Sequence, residues 1–112
     1  MNDIGFVQYS KSNTDNIIEA RWYYLKNGLK ICGTGIARGK IDSNYSGDFH
    51  VTYYNIDGQE TSNFQLVIDF VADHYHLKWI KDGNVEYIGI GVEYDNILFA
   101  GWKKFEKLAD TC

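Results

Sequence analysis

Three turn dipeptides, each an Asn or Asp followed by Gly, divide this 112-residue chain at intervals of about 25 to 30 residues. Both central residues of a type I′ turn need positive φ, which Asn, Asp and Gly tolerate best, so such dipeptides between β-rich runs predict hairpins. The dipeptides are Asn27-Gly28, Asp57-Gly58 and Asp82-Gly83, and Asp95-Asn96 is a weaker signal of the same kind. Antiparallel strands joined by tight turns are therefore the first constraint on the fold.

The segments between these turns have the length and composition of β-strands. Asn63–Val71 alternates apolar and polar residues most clearly, and Tyr75–Lys81 alternates in the same way. The other predicted strands are Ile4–Tyr9, Ile18–Leu25, Leu29–Arg38, Gly47–Asn55, Val85–Val92 and Ile97–Trp102. Seven or eight strands, spaced by about ten residues, indicate a sandwich or a barrel.

No segment has a sustained helical period, although Thr14–Arg21 and the tail Lys103–Leu108 each have room for one helical turn. The chain contains no Pro, which fits strands whose amide groups all pair, as in a closed barrel. Consecutive hairpins favour up-and-down order over a Greek key. We therefore predict one all-β domain over residues 1–112, an antiparallel up-and-down β-barrel of about eight strands with a short terminal helix allowed, and an open sandwich as the alternative.

Glycines inside the predicted strands have two interpretations. Gly33 and Gly35 share one face of their strand, Gly89 and Gly91 share one face of another, and Gly101 lies in the last strand. A strand glycine permits a sharp bend or a close approach to the backbone. The sequence therefore indicates either strong coiling of a small sheet or room for a ligand against bare backbone, and it leaves both open.

The spacing of glycines and aromatic residues resembles that of a known group of barrels. The segments that carry it are Gly33–Ala37, Gly47–Tyr54 with Asp57-Gly58, and Tyr87–Gly91 with Leu98–Trp102. Through them, the chain from Trp22 to Trp102 resembles small uncharacterised bacterial calycin-like proteins, the lipocalin-like and avidin-like barrels, some of which look like products of mobile gene cassettes. The resemblance implies an eight-stranded antiparallel barrel with one open mouth, and it implies no catalytic residues.

Charge and cysteine content limit the partners that we expect. A net charge of −4 should repel a phosphate backbone, and Glu106 interrupts the basic stretch of Lys103, Lys104 and Lys107, so nucleic acid is not a predicted partner. No apolar run approaches the roughly 20 residues that span a bilayer, and no signal peptide is evident, so no membrane is predicted. Cys32 and Cys112 fit no zinc pattern, and we expect two free thiols in the cytoplasm.

Three candidate centres for chemistry have simpler interpretations. His74 and His76 share a strand face and could chelate a metal, but no third ligand is adjacent, so a polar surface row is the expectation. Asp48 could orient His50 as a base, yet we expect His50 on the surface. Cys32 is expected to be a structural residue. No catalytic residue, cofactor or metal is therefore predicted.

Aromatic residues make up 16% of the chain, which is the most informative feature for function. Rings that share strand faces can form a pocket in which Tyr hydroxyls orient a ligand, or they can fill the core. The candidate ligand-binding residues are Trp22, Tyr24, Tyr53, Tyr75, Trp79 and Trp102. The sequence favours non-catalytic binding of a small apolar or aromatic molecule in a barrel cavity, with a protein-interaction module that has a filled core as the alternative.

Strands near the C-terminus are apolar on both faces, whereas a monomeric barrel needs apolar residues on the inner face alone. This holds for Val85–Val92 and for Ile97–Trp102. A second copy of the chain is the simplest cover for the outer face, and symmetric dimers are the commonest oligomers. We therefore predict a homodimer or higher homo-oligomer whose interface lies within Val85–Trp102.

Overall fold

Alternating strands and tight turns fold residues 4–106, the part of the chain that the computed structural model describes, into a closed barrel. The eight strands are β1 (Ile4–Lys11), β2 (Ile17–Lys26), β3 (Leu29–Arg38), β4 (Gly47–Asn55), β5 (Glu60–Val71), β6 (His74–Lys81), β7 (Asn84–Tyr94) and β8 (Ile97–Lys104). Each strand pairs antiparallel with the next, and β8 pairs antiparallel with β1. The predicted up-and-down barrel is confirmed, and the alternative of an open sandwich is wrong.

The described residues contain no helix. The stretch Thr14–Arg21 is a turn that runs into β2, because Asn16 takes a φ of 62° and the strand begins directly after it. At the other end Lys103 and Lys104 belong to β8, and residues 107 and 108 lie outside the described part. Within residues 4–106, accordingly, there is no helix long and apolar enough to cross a membrane.

Two-residue turns close four of the hairpins, and in the β5–β6 turn only Ala72 of the two central residues has positive φ. Both central residues have positive φ in the β2–β3 turn, in the β6–β7 turn and in the β7–β8 turn, as a type I′ turn requires. Asp95-Asn96, the weaker signal, is therefore a turn of the same kind as Asn27-Gly28. The Asp57-Gly58 dipeptide lies in a longer connection, which the Asn55 side chain stabilises by accepting hydrogen bonds from the backbone N–H groups of Asp57 and Gln59 at 2.9 and 3.0 Å.

One end of the barrel is closed by the connection between β3 and β4. Tyr45 in this connection is fully buried, and its hydroxyl donates a hydrogen bond to the carbonyl oxygen of Asn96 at 2.6 Å. Its ring meets the Tyr75 ring edge-on, with 6.4 Å between the centroids, and the Tyr75 hydroxyl donates to Glu93 at 2.7 Å. Tyr45 is therefore a plug, while Lys40, Asp42 and Ser43 of the same connection are exposed.

Apolar side chains fill the barrel interior next to this plug. They come from the inward-facing positions of the strands, which alternate with outward-facing ones along each strand. The largest fully buried ones, apart from the tyrosines, are Val7, Ile18, Val51, Leu66, Ile68, Leu77 and Leu98. Burial of each such side chain stabilises the fold by about 1.5–3 kcal/mol, so this layer is the main hydrophobic core.

Most of the inward-facing glycines in the strands lie under the protein's own aromatic rings. A β-carbon at Gly33 would overlap the Trp22 ring and the carbonyl oxygen of Tyr54, and one at Gly5 would overlap the Trp102 ring. Gly101, in contrast, faces outward, where a β-carbon would meet only one backbone oxygen at 4.0 Å. Gly5, Gly33 and Gly89 thus provide space for indole rings that belong to the neighbouring strand, an arrangement that neither interpretation of the sequence included.

Replacing the plug residue should unfold the barrel at a lower denaturant concentration. We expect Tyr45→Ala to lower the free energy of unfolding by about 3 kcal/mol, because it leaves a cavity in the closed end and removes the bond to Asn96. Tyr94→Ala is the matched control, since Tyr94 is 75% exposed, and it should change stability by less than about 0.5 kcal/mol. Urea unfolding measures both, and equal effects would contradict the plug.

Candidate functional site

The end of the barrel opposite the plug contains a cavity of about 240 Å³. It opens where the β2–β3, β4–β5 and β6–β7 connections lie, so it is the mouth of the barrel. The lining residues are Val7, Trp22, Tyr24, Tyr53, Thr61, Ser62, Phe64, Trp79, Tyr87 and Trp102. None of these is an Asp, Glu, Lys, Arg or His, so the lining offers rings, an aliphatic side chain and hydroxyls.

Strand pairing holds the indole rings of the cavity in place. Trp22 faces Gly33 across the β2–β3 ladder, and Trp102 faces Gly5 across the β1–β8 ladder, so each ring lies on bare backbone. The Trp22 Nε1–H also donates to the carbonyl oxygens of Thr34 and Tyr54, at 2.9 and 3.2 Å. These contacts fix the rings before any ligand arrives, which lowers the entropic cost of binding.

Five rings form a continuous aromatic wall around the cavity. Successive ring centroids lie 5.1, 5.3, 5.7 and 6.3 Å apart, and the contacts on either side of the Tyr87 ring are edge-on. The order of rings along this wall is Tyr24, Trp102, Tyr87, Phe64 and Tyr53. Such distances are typical of favourable aromatic pairs, and the wall presents both ring faces and ring edges to the cavity.

A small hydroxyl cluster, made of Tyr9, Tyr53 and Trp79, joins the cavity to the core. The Tyr53 hydroxyl lies 2.6 Å from the Tyr9 hydroxyl and accepts a hydrogen bond from the Trp79 Nε1–H at 2.7 Å. Burial raises the pKa of Tyr53 to about 12, and burial together with the neighbouring Tyr53 raises the pKa of Tyr9 well above its ordinary value. Both phenols are therefore neutral near pH 7.

Five of the six residues predicted from the sequence line this one cavity, namely Trp22, Tyr24, Tyr53, Trp79 and Trp102. Tyr75 does not, and lies in the closed end against Tyr45. Tyr75 and Trp79 share the inner face of β6, but four residues along a strand span about 13 Å, so one face reaches both ends of the barrel. The shared face was correctly predicted, and the shared site was not.

Several residues of the site were not predicted from the sequence. Phe64 and Tyr87 belong to the aromatic wall, and Thr61 and Ser62 line the mouth at the start of β5. Phe64 begins the clearest alternating run in the chain, so its inward direction was readable from the sequence. Its position at the mouth depends on the register between strands, which a single sequence does not reveal.

The other candidate centres lie on the outer surface. His50 is exposed as expected, and Asp48 accepts hydrogen bonds from Gln65 rather than from His50. His74 and His76 lie on the outer side of β6 with 2.9 Å between their Nε2 atoms. Across residues 4–106 no group of three or more His, Cys, Asp or Glu residues is placed to hold a metal ion. Cys32 is a half-buried free thiol on the outer face.

The fold and the cavity together define a small antiparallel barrel with one plugged end and one aromatic mouth. This architecture is consistent with the calycin-like fold that the sequence resemblance implied. No protein-family model, curated protein or solved structure matches the chain.

The hydroxyl cluster should make the free energy of unfolding depend on pH in the alkaline range. Both folded-state pKa values are raised, so the stabilisation is present below the pKa of about 10 of an unfolded tyrosine. It is lost as pH rises through the folded-state pKa, which for Tyr53 is about 12. We expect the free energy of unfolding to be constant near pH 8 and to fall from about pH 10, by roughly 2 to 3 kcal/mol for a two-unit shift. The free energy of unfolding of the double variant Tyr9→Phe/Tyr53→Phe should fall less steeply as pH rises, as measured by urea unfolding at each pH. The same pH dependence in the wild-type protein and the double variant would contradict the raised pKa values of the two phenols.

Proposed function

We propose that this protein binds a small neutral aromatic or apolar molecule, without catalysis, in the mouth of the barrel. One observation supports the proposal most: a cavity of about 240 Å³ lined by aromatic rings, with no charged side chain, at an end of the barrel that nothing in residues 4–106 fills. We also propose a calycin-like relationship and a cytoplasmic setting, which suits the free thiol of Cys32.

The size of the cavity suggests the size of the ligand. An apolar cavity of about 150 Å³ holds one benzene molecule, and pockets for drug-sized ligands begin at about 300 Å³. A volume of about 240 Å³ lies between these limits and fits one or two fused rings. Stacked and edge-on contacts with the aromatic wall favour a flat molecule over a branched aliphatic one.

The absence of charge from the lining also supports binding over chemistry. A general acid or base works best with a pKa near the ambient pH, and a nucleophile needs an adjacent base. The titratable side chains that line the cavity are tyrosines, and burial holds the pKa of Tyr53 at about 12. The arrangement therefore suits a pocket that recognises shape and one or two polar atoms.

A larger side chain on the cavity wall should prevent binding. We expect Ser62→Phe to weaken the binding of uncharged one- and two-ring aromatic compounds at least tenfold, because the new ring occupies the mouth. Thr34→Phe introduces the same ring on the exposed outer face of β3 and should leave affinity unchanged. Thermal-shift assays against a compound library provide the screen and calorimetry the affinities. No stabilisation of the wild-type protein by any compound would reject the proposal.

A second function, self-association, is favoured by an outer patch of apolar residues. We define this outer patch by its members on β1, β2, β7 and β8, which are Ile4, Phe6, Tyr23, Ile90, Val92 and Phe99. Ile90 is 60% exposed and Val92 is 53% exposed. A groove over the outward-facing Gly101, bordered by Ile4, Ile88 and Ile90, runs through the patch. An apolar, grooved surface of this kind is typical of an interface, and we propose a second copy as its partner.

A charge in the outer patch should separate the copies. We expect the wild-type protein to have twice its chain mass of 12.9 kDa in solution at micromolar concentration, and Ile90→Lys to have the single mass. Thr52→Lys, on the opposite side of the barrel in β4, is the control and should stay dimeric. Light scattering measures each mass, and a monomeric wild-type protein would reject the dimer.

A further inference from the structure

The hydroxyl cluster contains one more hydrogen than its own hydrogen bonds use. Tyr9, Tyr53 and Trp79 each contribute one polar hydrogen. In the described part of the chain they make two hydrogen bonds with one another, Trp79 to Tyr53 and one between the two hydroxyls. The Trp79 N–H also lies within hydrogen-bonding reach of the Tyr9 hydroxyl, but as a donor, so it adds no acceptor to the cluster. One O–H hydrogen is therefore left without an acceptor in the cluster.

Ionisation does not remove this surplus hydrogen. Burial raises the pKa of both phenols, so each keeps its proton throughout the neutral pH range. The indole N–H of Trp79 does not ionise under these conditions. The three hydrogens are thus present whenever the barrel is folded near pH 7, and the question is which hydroxyl holds the free one.

The position of the two tyrosines relative to the cavity decides between them. Tyr9 is completely buried and does not line the cavity, so an unpaired hydrogen on Tyr9 would face apolar side chains at full desolvation cost. The Tyr53 hydroxyl is buried as well, but the Tyr53 side chain lines the cavity beside Trp79. The lower-energy arrangement has Tyr9 donating to Tyr53, which leaves the Tyr53 hydrogen available to the cavity.

We propose that the cavity selects a neutral aromatic ligand that carries a hydrogen-bond acceptor, such as a ring nitrogen or a carbonyl, on the edge that reaches Tyr53. This inference rests on the proposed function and specifies the class of ligand. The acceptor belongs to a neutral molecule because no cation lines the cavity to compensate a buried anion. A ligand that presents a plain ring edge or an N–H group would leave the Tyr53 hydrogen unpaired.

Quinoline and indole provide a matched test. Both are flat fused bicycles of similar polarity, but the quinoline nitrogen accepts a hydrogen bond and the indole nitrogen donates one. Calorimetry at pH 8 should show quinoline binding to the wild-type protein at least about fivefold more tightly than indole, the effect of one net hydrogen bond. Naphthalene, which has no polar atom, shows whether the cavity accepts the bicyclic shape.

Two variants assign the preference to one hydroxyl. Tyr53→Phe keeps the ring and removes the donor, so the preference for quinoline should disappear. Tyr9→Phe is the matched control: the Tyr53 hydrogen is already free in the wild type, so the preference should persist unchanged. Should Tyr53→Phe fail to fold, the wild-type protein still tests the proposal, because equal affinities for quinoline and indole overturn it.

The outcomes separate the two proposals. Equal affinities of the wild-type protein for quinoline and indole would overturn the acceptor preference and leave ligand binding intact. A preference that arises only in Tyr9→Phe would also overturn it, because Tyr53 would then donate to Tyr9 in the wild type. If quinoline, indole and naphthalene all fail to bind, the proposed function fails together with the inference.

Discussion

Pairing of β8 with β1 is the constraint on which the rest of this structure depends. The ladder runs from Ile4 opposite Lys103 to Ser10 opposite Ile97, and it removes both sheet edges. Once eight strands close, the interior has a fixed width that is just sufficient for side chains. Every inward-facing residue then has to share that space, and small residues become necessary wherever a large ring turns inward.

The interior is packed with side chains at one end and contains an open cavity at the other. Tyr45 comes from a connection rather than a strand, and it fills the closed end together with Tyr75. At the mouth, rings are more numerous, yet they line the wall and leave the centre open. The hydroxyl cluster lies between the two regions, where the paired phenols of Tyr9 and Tyr53 bring polar groups into an otherwise apolar interior.

Turn chemistry and alternation made most of the barrel predictable, because both act over a few neighbouring residues. Prediction failed where the answer depended on register and on distant contacts. The start of β5 was placed at Asn63 instead of Glu60, since the residues before it are polar, although Thr61 and Ser62 line the mouth. Tyr45 was not singled out either, because a tyrosine in a polar loop gives no local sign that it will be buried.

The placement of the indole rings has an optical consequence. All three tryptophans of the chain, Trp22, Trp79 and Trp102, line the same cavity. Emission excited at the red edge of the absorption band therefore comes from the mouth of the barrel alone, with no tryptophan elsewhere to add background. The wavelength of that emission reports the polarity of this single space, so the unmodified protein carries its own spectroscopic probe at the position where a guest molecule would lie.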